Sequence, residues 1–231
     1  MIARHQLLAG LALATVLGVS ACTDSDSGAS DQSPAQVLGE AKRNLDETSG
    51  VHVRLATEQL PRGVDGIVSA DGIGTHAPAF EGDLKVASGS ITADAAVVAV
   101  DEIVYAKLPF TTNFAEIDPQ DYGAPDPATL MSTNAGLSSL LTAAEDVKEG
   151  EAIRSGEAVV TEYTGSVPGG AVASIIPTAS AEETFAATFT ITEDNLLDEA
   201  ELSGPFYPDA TDVTYTIEFD QYDTDKEITA P

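Results

Sequence analysis

Residues 91–108, ITADAAVVAVDEIVYAKL, decide the fold class of this chain. Two apolar runs rich in Val, Ile and Ala flank the polar pair Asp101-Glu102. This pattern predicts a β-hairpin that turns at the pair. The preceding stretch FEGDLKVASGS (80–90) has the same character, so the hairpin is expected to belong to a larger antiparallel sheet.

Further strands are predicted on both sides of the hairpin. In VHVRL (51–55), Val51, Val53 and Leu55 share one face, and His52 and Arg54 share the other. Four later stretches are also typical of strands: AVVTEYTGSV (158–167), TFAATFTIT (184–192), LLDEAELSG (196–204) and DVTYTIEFDQY (212–222).

Helical patterns separate these strands. Ser33 and Pro34 predict the start of a helix over 34–48, with Gly50 beyond its end. GLSSLLTAAEDV (136–147) has one apolar stripe, and GGAVASIIP (169–177) predicts a short helix closed by its proline. Residues 109–135 are rich in Pro, Asp and Asn and predict a long connection with one helical turn. The order predicts an α+β domain whose helices lie on one face of an antiparallel sheet.

The first 33 residues predict export and anchoring. Residues 1–21 are typical of a lipoprotein signal peptide, with Arg4 before an apolar run too short for a confident transmembrane helix. Val19-Ser20-Ala21-Cys22 resembles a bacterial lipobox, which implies cleavage before Cys22 and acylation of that residue, as with palmitate. The polar residues after it (22–33) predict a flexible tether, and 34–231 the folded domain. The alternative is an ordinary secretory signal with an unrelated cysteine.

Charge and residue types exclude several functions. With 38 acidic and 10 basic residues, the chain has a net charge of −28 and would repel nucleic acid. The expected mature chain has two histidines, His52 and His76, for which we expect surface roles. No zinc motif, phosphate loop or nucleophile elbow is present, so the sequence predicts no catalytic residue, no metal and no cofactor.

The chain resembles the LppX/LprAFG family of mycobacterial lipoproteins over nearly its full length after Cys22. The resemblance is carried by FEGDLKV (80–86), ADAAVVAVDEIVYAKL (93–108), NFAEIDPQDYGAPDPATLMSTNAGLSSLLTAAEDVKEGEAI (113–153) and YTGSVPGGAVASIIP (163–177). It implies a curved antiparallel half-barrel whose helices lie on the concave face and enclose an apolar cavity, similar to the LolA/LolB carriers. Family hairpins often turn at Asp-Gly, so a different turn is expected at Asp101-Glu102.

The resemblance also implies a function and a set of lining residues. Family members carry acylated lipids or glycolipids across the cell envelope from the outer face of the cell membrane, some beside an efflux transporter. The implied lipid-binding residues here are Leu84, Val86, Val104, Ala106, Leu108, Leu137, Leu140, Leu141, Val172, Ile175 and Ile176. The high negative charge favours a neutral lipid or sugar-headed glycolipid over an anionic phosphoinositide.

Two other functions remain open from the sequence. The protein could be an envelope interaction protein that supports a transporter and holds no lipid, and a core without a cavity would favour this. It could also be a hydrolase with an unrecognised pair of carboxylates. Carboxylates with raised pKa in a cleft would favour that function.

Overall fold

The described part of the chain contains eleven strands, three α-helices and two 3₁₀ helices. The structure is a computed structural model and describes residues 32–231 except 59, 90, 123, 157 and 209–212. Cys22, the predicted signal peptide and most of the predicted tether lie outside the described residues. The strands are β1 (Gly50–Ala56), β2 (Gly66–Thr75), β3 (Ala79–Ser88), β4 (Ile91–Val100), β5 (Ile103–Lys107), β6 (Ala115–Ile117), β7 (Glu145–Ser155), β8 (Ala158–Pro168), β9 (Thr184–Thr192), β10 (Leu197–Gly204) and β11 (Val213–Asp220). The helices are α1 (Pro34–Glu47), α2 (Ser139–Ala143) and α3 (Gly169–Ile175), with 3₁₀ helices at Pro119–Tyr122 and Pro127–Met131.

All the strands belong to one antiparallel sheet built from two meanders. The strand order is β6-β5-β4-β3-β2-β1-β11-β10-β9-β8-β7, so each meander places consecutive strands side by side. The first and last strands join the meanders, with Val53 opposite Phe219. Because β6 and β7 lie at opposite edges, the curved sheet does not close into a barrel. The predicted fold class is therefore confirmed.

Helices cover the concave face unevenly. Helix α1 contacts α2, β7 and β10, and α3 contacts β8 and β9. The second 3₁₀ helix contacts β2, β3 and β4 instead. One half of the sheet is therefore covered by α-helices and the other half mainly by the 3₁₀ segment.

Helix α1 confirms the predicted first helix. Gln36 Oε1 accepts a hydrogen bond from the Ser33 N–H at 2.8 Å, which satisfies one donor at the helix start. Val37, Leu38, Ala41 and Leu45 are buried along one stripe, as the periodicity predicts. The apolar face of the helix therefore joins the core.

The middle of the chain differs from the prediction. The predicted helix over 136–147 is reduced to α2, because Glu145 already begins β7. Ten of the 11 residues of β7 are exposed, so this strand has no apolar alternation to reveal it. Strands β2 and β6 were also not predicted.

Strand β7 is an edge strand with an irregular ladder. Its register against β8 shifts between Glu145 and Lys148 and again between Glu149 and Ala152. Such irregularities bend a strand and interrupt its regular pairing.

The predicted hairpin is present, and its turn corrects one expectation. Asp101 and Glu102 have φ values of 54° and 63°. Positive φ at both central residues is the requirement of a type I′ turn, which usually contains Gly at the second position. The expectation of a different turn was wrong: the chain keeps the backbone conformation of an Asp-Gly turn although Glu102 has a side chain.

An aromatic stack lies in the core beneath the helices. The rings of Phe185 and Phe206 meet edge to face at 4.8 Å, and Phe206 meets Tyr215 in the same way at 5.0 Å. Gly204 leaves room for the first ring, since a Cβ at this position would lie 2.5 Å from Phe185 Cδ1.

Candidate functional site

Two apolar cavities lie between the concave face of the sheet and the elements that cover it. The inner chamber has a cavity volume of about 80 Å³. Its walls come from β1–β3, β10, β11, the second 3₁₀ helix, α2, α3 and adjoining loops. They are lined by Val53, Leu55, Ile67, Ala70, Phe80, Leu84, Pro125, Pro127, Leu130, Leu137, Leu140, Val172, Ile175, Ile176, Leu202, Phe206, Tyr207, Tyr215 and Ile217.

The outer chamber lies under the other meander and has a volume of about 160 Å³. It is formed by β2–β6, the first 3₁₀ helix and the segment after it. Its lining residues are Ile67, Leu84, Val86, Ser88, Ile91, Ala93, Ala95, Val97, Val104, Ala106, Leu108, Ile117, Pro119, Tyr122, Ala124, Pro125 and Pro127. Neither chamber is lined by a charged side chain.

A thin partition separates the chambers. Ile67 and Leu84 from the sheet, with Pro125 and Pro127 from the covering segment, line both cavities. Asp126 lies between the two prolines, and its Oδ1 accepts a hydrogen bond from the Ala128 N–H at 2.9 Å. This bond caps the second 3₁₀ helix and fixes how the segment turns. These four residues are the ones that the two linings share.

Two tyrosines in the inner chamber have their hydroxyls satisfied by the protein. The hydroxyls of Tyr207 and Tyr215 lie 2.6 Å apart, and the Tyr215 hydroxyl donates to the Ile67 carbonyl at 2.7 Å. Burial raises the pKa of both tyrosines, so both stay neutral. The chamber therefore presents their rings to a ligand while their polar atoms bond within the wall.

The chamber volumes limit what this conformation can hold. A dry apolar cavity of about 150 Å³ holds one benzene molecule. The outer chamber is of that order, and the inner one is smaller. A long acyl chain therefore requires the covering segment or the helices to move.

The structure brings together ten of the eleven predicted lining residues. Leu137, Leu140, Val172, Ile175 and Ile176 line the inner chamber, and Val86, Val104, Ala106 and Leu108 line the outer one. Leu84 lines both. Leu141 lines neither chamber and is buried in the main core cluster, at 1% exposed. Lipid binding by these residues remains a prediction.

Sequence reasoning missed much of the wall. The alternation of β11 indicated that Tyr215 and Ile217 share a face, but no local signal showed that this face lines a cavity. Pro125 and Pro127 lie in a segment that the sequence predicts as a connection, and their place in the partition depends on contacts with β2–β4.

The convex face contains a charged cluster, and it corrects the expectation for His52. His52 is 9% exposed, with Nε2 at 3.0 Å from Asp71 Oδ1 and Nδ1 at 2.7 Å from Asp220 Oδ1. Burial opposes its charged form, but the hydrogen bonds to both carboxylates outweigh it and raise the pKa of His52. Arg54 pairs with Asp71 and Glu218 beside it. His52 is thus buried within an ion-pair network rather than placed on the surface.

His76 is half-buried, and its Nε2 lies 2.7 Å from the Leu45 carbonyl oxygen. This contact ties the turn before β3 to α1. Among the described residues, no three His, Cys, Asp or Glu side chains are grouped to hold a metal ion. Within the same residues, no helix is both long and apolar enough to span a bilayer.

Two solved structures of mycobacterial proteins share this architecture. The chain resembles LprF from Mycobacterium bovis at a TM-score of 0.70 and 14% identity, over 86% of this chain and 96% of that one. It resembles the lipoprotein LppX from Mycobacterium tuberculosis at a TM-score of 0.63 and 16% identity, over 87% of this chain and all of that one. A LolA superfamily protein from Nitrosomonas europaea matches at a TM-score of 0.28 and 8% identity, over 85% and 95%.

Sequence comparison points to one family. No curated protein sequence matches the chain. The family profile described as LppX_LprAFG lipoprotein matches residues 33–230, which include all the described strands and helices. The chain therefore belongs to the LppX_LprAFG lipoprotein family.

Proposed function

We propose that this protein is a lipid carrier of the cell envelope. Acylated Cys22 would anchor it to the outer face of the cell membrane, and the two chambers would hold the acyl chains of a neutral lipid or glycolipid. It would carry this ligand across the envelope without chemical change. A transporter is the partner that the family resemblance implies.

The uncharged lining of both chambers carries the proposal. The chain has 38 acidic residues, yet no charged side chain lines either chamber on the concave side. Apolar surface removed from water is worth about 25 cal/mol per Å², so a long acyl chain gains strongly from such a lining. Because this attraction is non-directional, the site needs few polar groups.

The partition would control how much lipid the protein holds. The chambers are too small for long chains in the present conformation. Moving the segment that contains Pro125 and Pro127 away from Ile67 and Leu84 would join them. We therefore expect ligand binding to open the partition.

The test is native mass spectrometry of a chain that begins at Thr23, with and without added lipid. Leu84→Trp places an indole in the partition, and Leu140→Trp places one in the inner chamber. Each variant is expected to hold several-fold less lipid while circular dichroism shows an intact sheet. Ile153→Trp is the matched control, because Ile153 is 49% exposed and lines neither chamber.

The outcomes separate the candidate functions. If both chamber variants retain as much lipid as the control, the proposed lining is wrong. If no lipid is held by any form of the protein, the small cavities are packing defects, and the protein acts through a partner without a lipid ligand.

A further inference from the structure

Three exposed apolar side chains line the outer chamber, and a fourth follows one of them closely in the chain. We call Ile91, Leu108, Phe110 and Tyr122 the apolar rim; they are 69%, 47%, 106% and 43% exposed. Ile91, Leu108 and Tyr122 also line the chamber, and Phe110 follows Leu108 by two residues. The rim is therefore continuous with the proposed lipid site.

Phe110 is held in a conformation that its side chain disfavours. Leu108–Thr111 form a turn in which the Thr111 N–H donates to the Leu108 carbonyl at 3.1 Å. Pro109 occupies the second position, and Phe110 occupies the third with a φ of 70°. This third position with positive φ is usually Gly or Asn, and a bulky residue there is strained. The turn thus presents a phenyl ring to solvent at a cost to stability.

The phenyl ring of Phe110 makes no packing contribution to the hydrophobic core. Because Phe110 is fully exposed, its ring removes no apolar surface from water, and it belongs to none of the three core clusters. Strained residues that persist without a packing benefit are concentrated at functional sites. Phe110 lies two residues after Leu108, which lines the outer chamber, and this position agrees with such a role.

The charge pattern around the rim is unusual for this chain. The net charge is −28, yet residues 86–93 and 108–115 contain no charged residue. Lys85 and Asp94 flank the first stretch, and Lys107 and Glu116 flank the second. Three of the four rim residues, Ile91, Leu108 and Phe110, therefore lie on two uncharged stretches of a strongly acidic protein, whereas Tyr122 follows Asp121.

From these observations we infer that the apolar rim inserts into the surface of a bilayer with little net charge. Phe110 and Leu108 would enter the boundary between headgroups and acyl chains, and the outer chamber would open onto the hydrocarbon. Amphipathic surfaces bind this boundary through buried apolar area. The inference deepens the proposed function, since an acyl chain would pass between bilayer and chamber without crossing water. The acidic remainder of the domain would weaken docking on an anionic bilayer.

The absence of Trp from the chain provides a clean probe. Gln32–Pro231 form one compact unit, so a chain that begins at Thr23 keeps the described domain and lacks the predicted anchor. In this chain, Phe110→Trp introduces a single indole into the rim. Ile153→Trp introduces one at an exposed apolar position on β7, away from both chambers.

Phosphatidylcholine vesicles should shift the Trp emission of Phe110→Trp to shorter wavelength, and brominated acyl chains should quench it. Neither effect is expected for Ile153→Trp. Replacing a third of the lipid with phosphatidylglycerol should lower binding several-fold. Absence of a shift at position 110, or an equal shift at both positions, would overturn the inference. A shift without vesicles that grows with protein concentration would overturn it in favour of self-association.

A second variant separates docking from folding and from lipid binding. Phe110→Gly should lower the vesicle partition coefficient about tenfold, as expected for one phenyl ring lost from an apolar environment. Its urea midpoint should not fall, because glycine accepts positive φ. If it binds vesicles like the wild type, the rim does not dock, even where native mass spectrometry shows bound lipid. If partitioning falls but no protein holds lipid, docking stands and the carrier function fails.

Discussion

Replacing Gly204 by Ala tests whether the aromatic stack is packed as the structure indicates. The added Cβ would lie 2.5 Å from Phe185 Cδ1 and 2.9 Å from both Cγ and Cε1. Ordinary carbon contacts begin at about 3.5 Å, and Phe185 is completely buried, so the ring has no free space to enter. It must push against Phe206 and, through it, against Tyr215 at the wall of the inner chamber.

The expected cost follows from two effects. Overpacking a buried site costs about 1–3 kcal/mol. Disturbing the edge-to-face contact with Phe206 costs a further ~0.5–1.5 kcal/mol. We therefore expect Gly204→Ala to lower the free energy of unfolding by about 1.5–4.5 kcal/mol and to reduce lipid uptake.

Urea denaturation followed by circular dichroism measures this loss. With a slope of about 2 kcal/mol per M, the midpoint should fall by about 1–2 M. Gly39→Ala is the control: no atom lies within 4 Å of its added Cβ, and alanine in α1 should stabilise by about 0.5–1 kcal/mol. Phe185→Leu should remove part of the penalty when combined with Gly204→Ala. A Gly204→Ala midpoint equal to that of the wild type would refute the packing argument.

Three further predictions concern other parts of the molecule. Leu140→Ala should lower the free energy of unfolding by about 2–5 kcal/mol in the free protein but clearly less with saturating lipid. Leu45→Ala, in the core away from both chambers, should lower it equally in both states. Equal losses for Leu140→Ala with and without lipid would contradict ligand occupancy of the inner chamber. The pKa of His52 is raised above its ordinary 6.5, so its contribution to stability is complete below pH 6.5 and is lost as pH rises through the pKa of the folded state. Melting curves of His52→Gln, recorded as a function of pH, should lack this decline. A pH profile of the variant equal to that of the wild type would show that the cluster does not titrate there. Glu102→Gly should raise the free energy of unfolding by about 1 kcal/mol in urea titrations, because glycine removes the strain of positive φ. A loss of stability would show that the Glu102 side chain makes a compensating contact.

Elements with their own periodic signal were predictable from the sequence. Helix α1 has both a start signal and an apolar stripe, and the hairpin at Asp101-Glu102 has two apolar runs around a polar pair. The family resemblance placed the predicted cavity lining on the inward stripes of these strands and of α2 and α3, and ten of its eleven residues line a chamber. These features depend on residues close together in the chain.

Features that depend on distant contacts were not predictable. Strand β7 is almost wholly exposed, so pairing with β8 rather than an apolar face defines it. His52 is buried because Asp71 and Asp220 approach it from two neighbouring strands, 19 and 168 residues away. The partition exists only because a proline-containing connection folds back onto β2 and β3.

The irregular, charged strand at one edge of the open sheet has a consequence for behaviour at high concentration. An unclosed sheet leaves backbone donors and acceptors free to recruit a strand from another molecule. The two register shifts in β7 and its mostly exposed charged residues make this border a poor template, and β6, at three residues, is too short to be a good one. A variant with a straight, apolar β7 would be expected to polymerise into fibres, so these irregularities protect this edge of the sheet against strand addition.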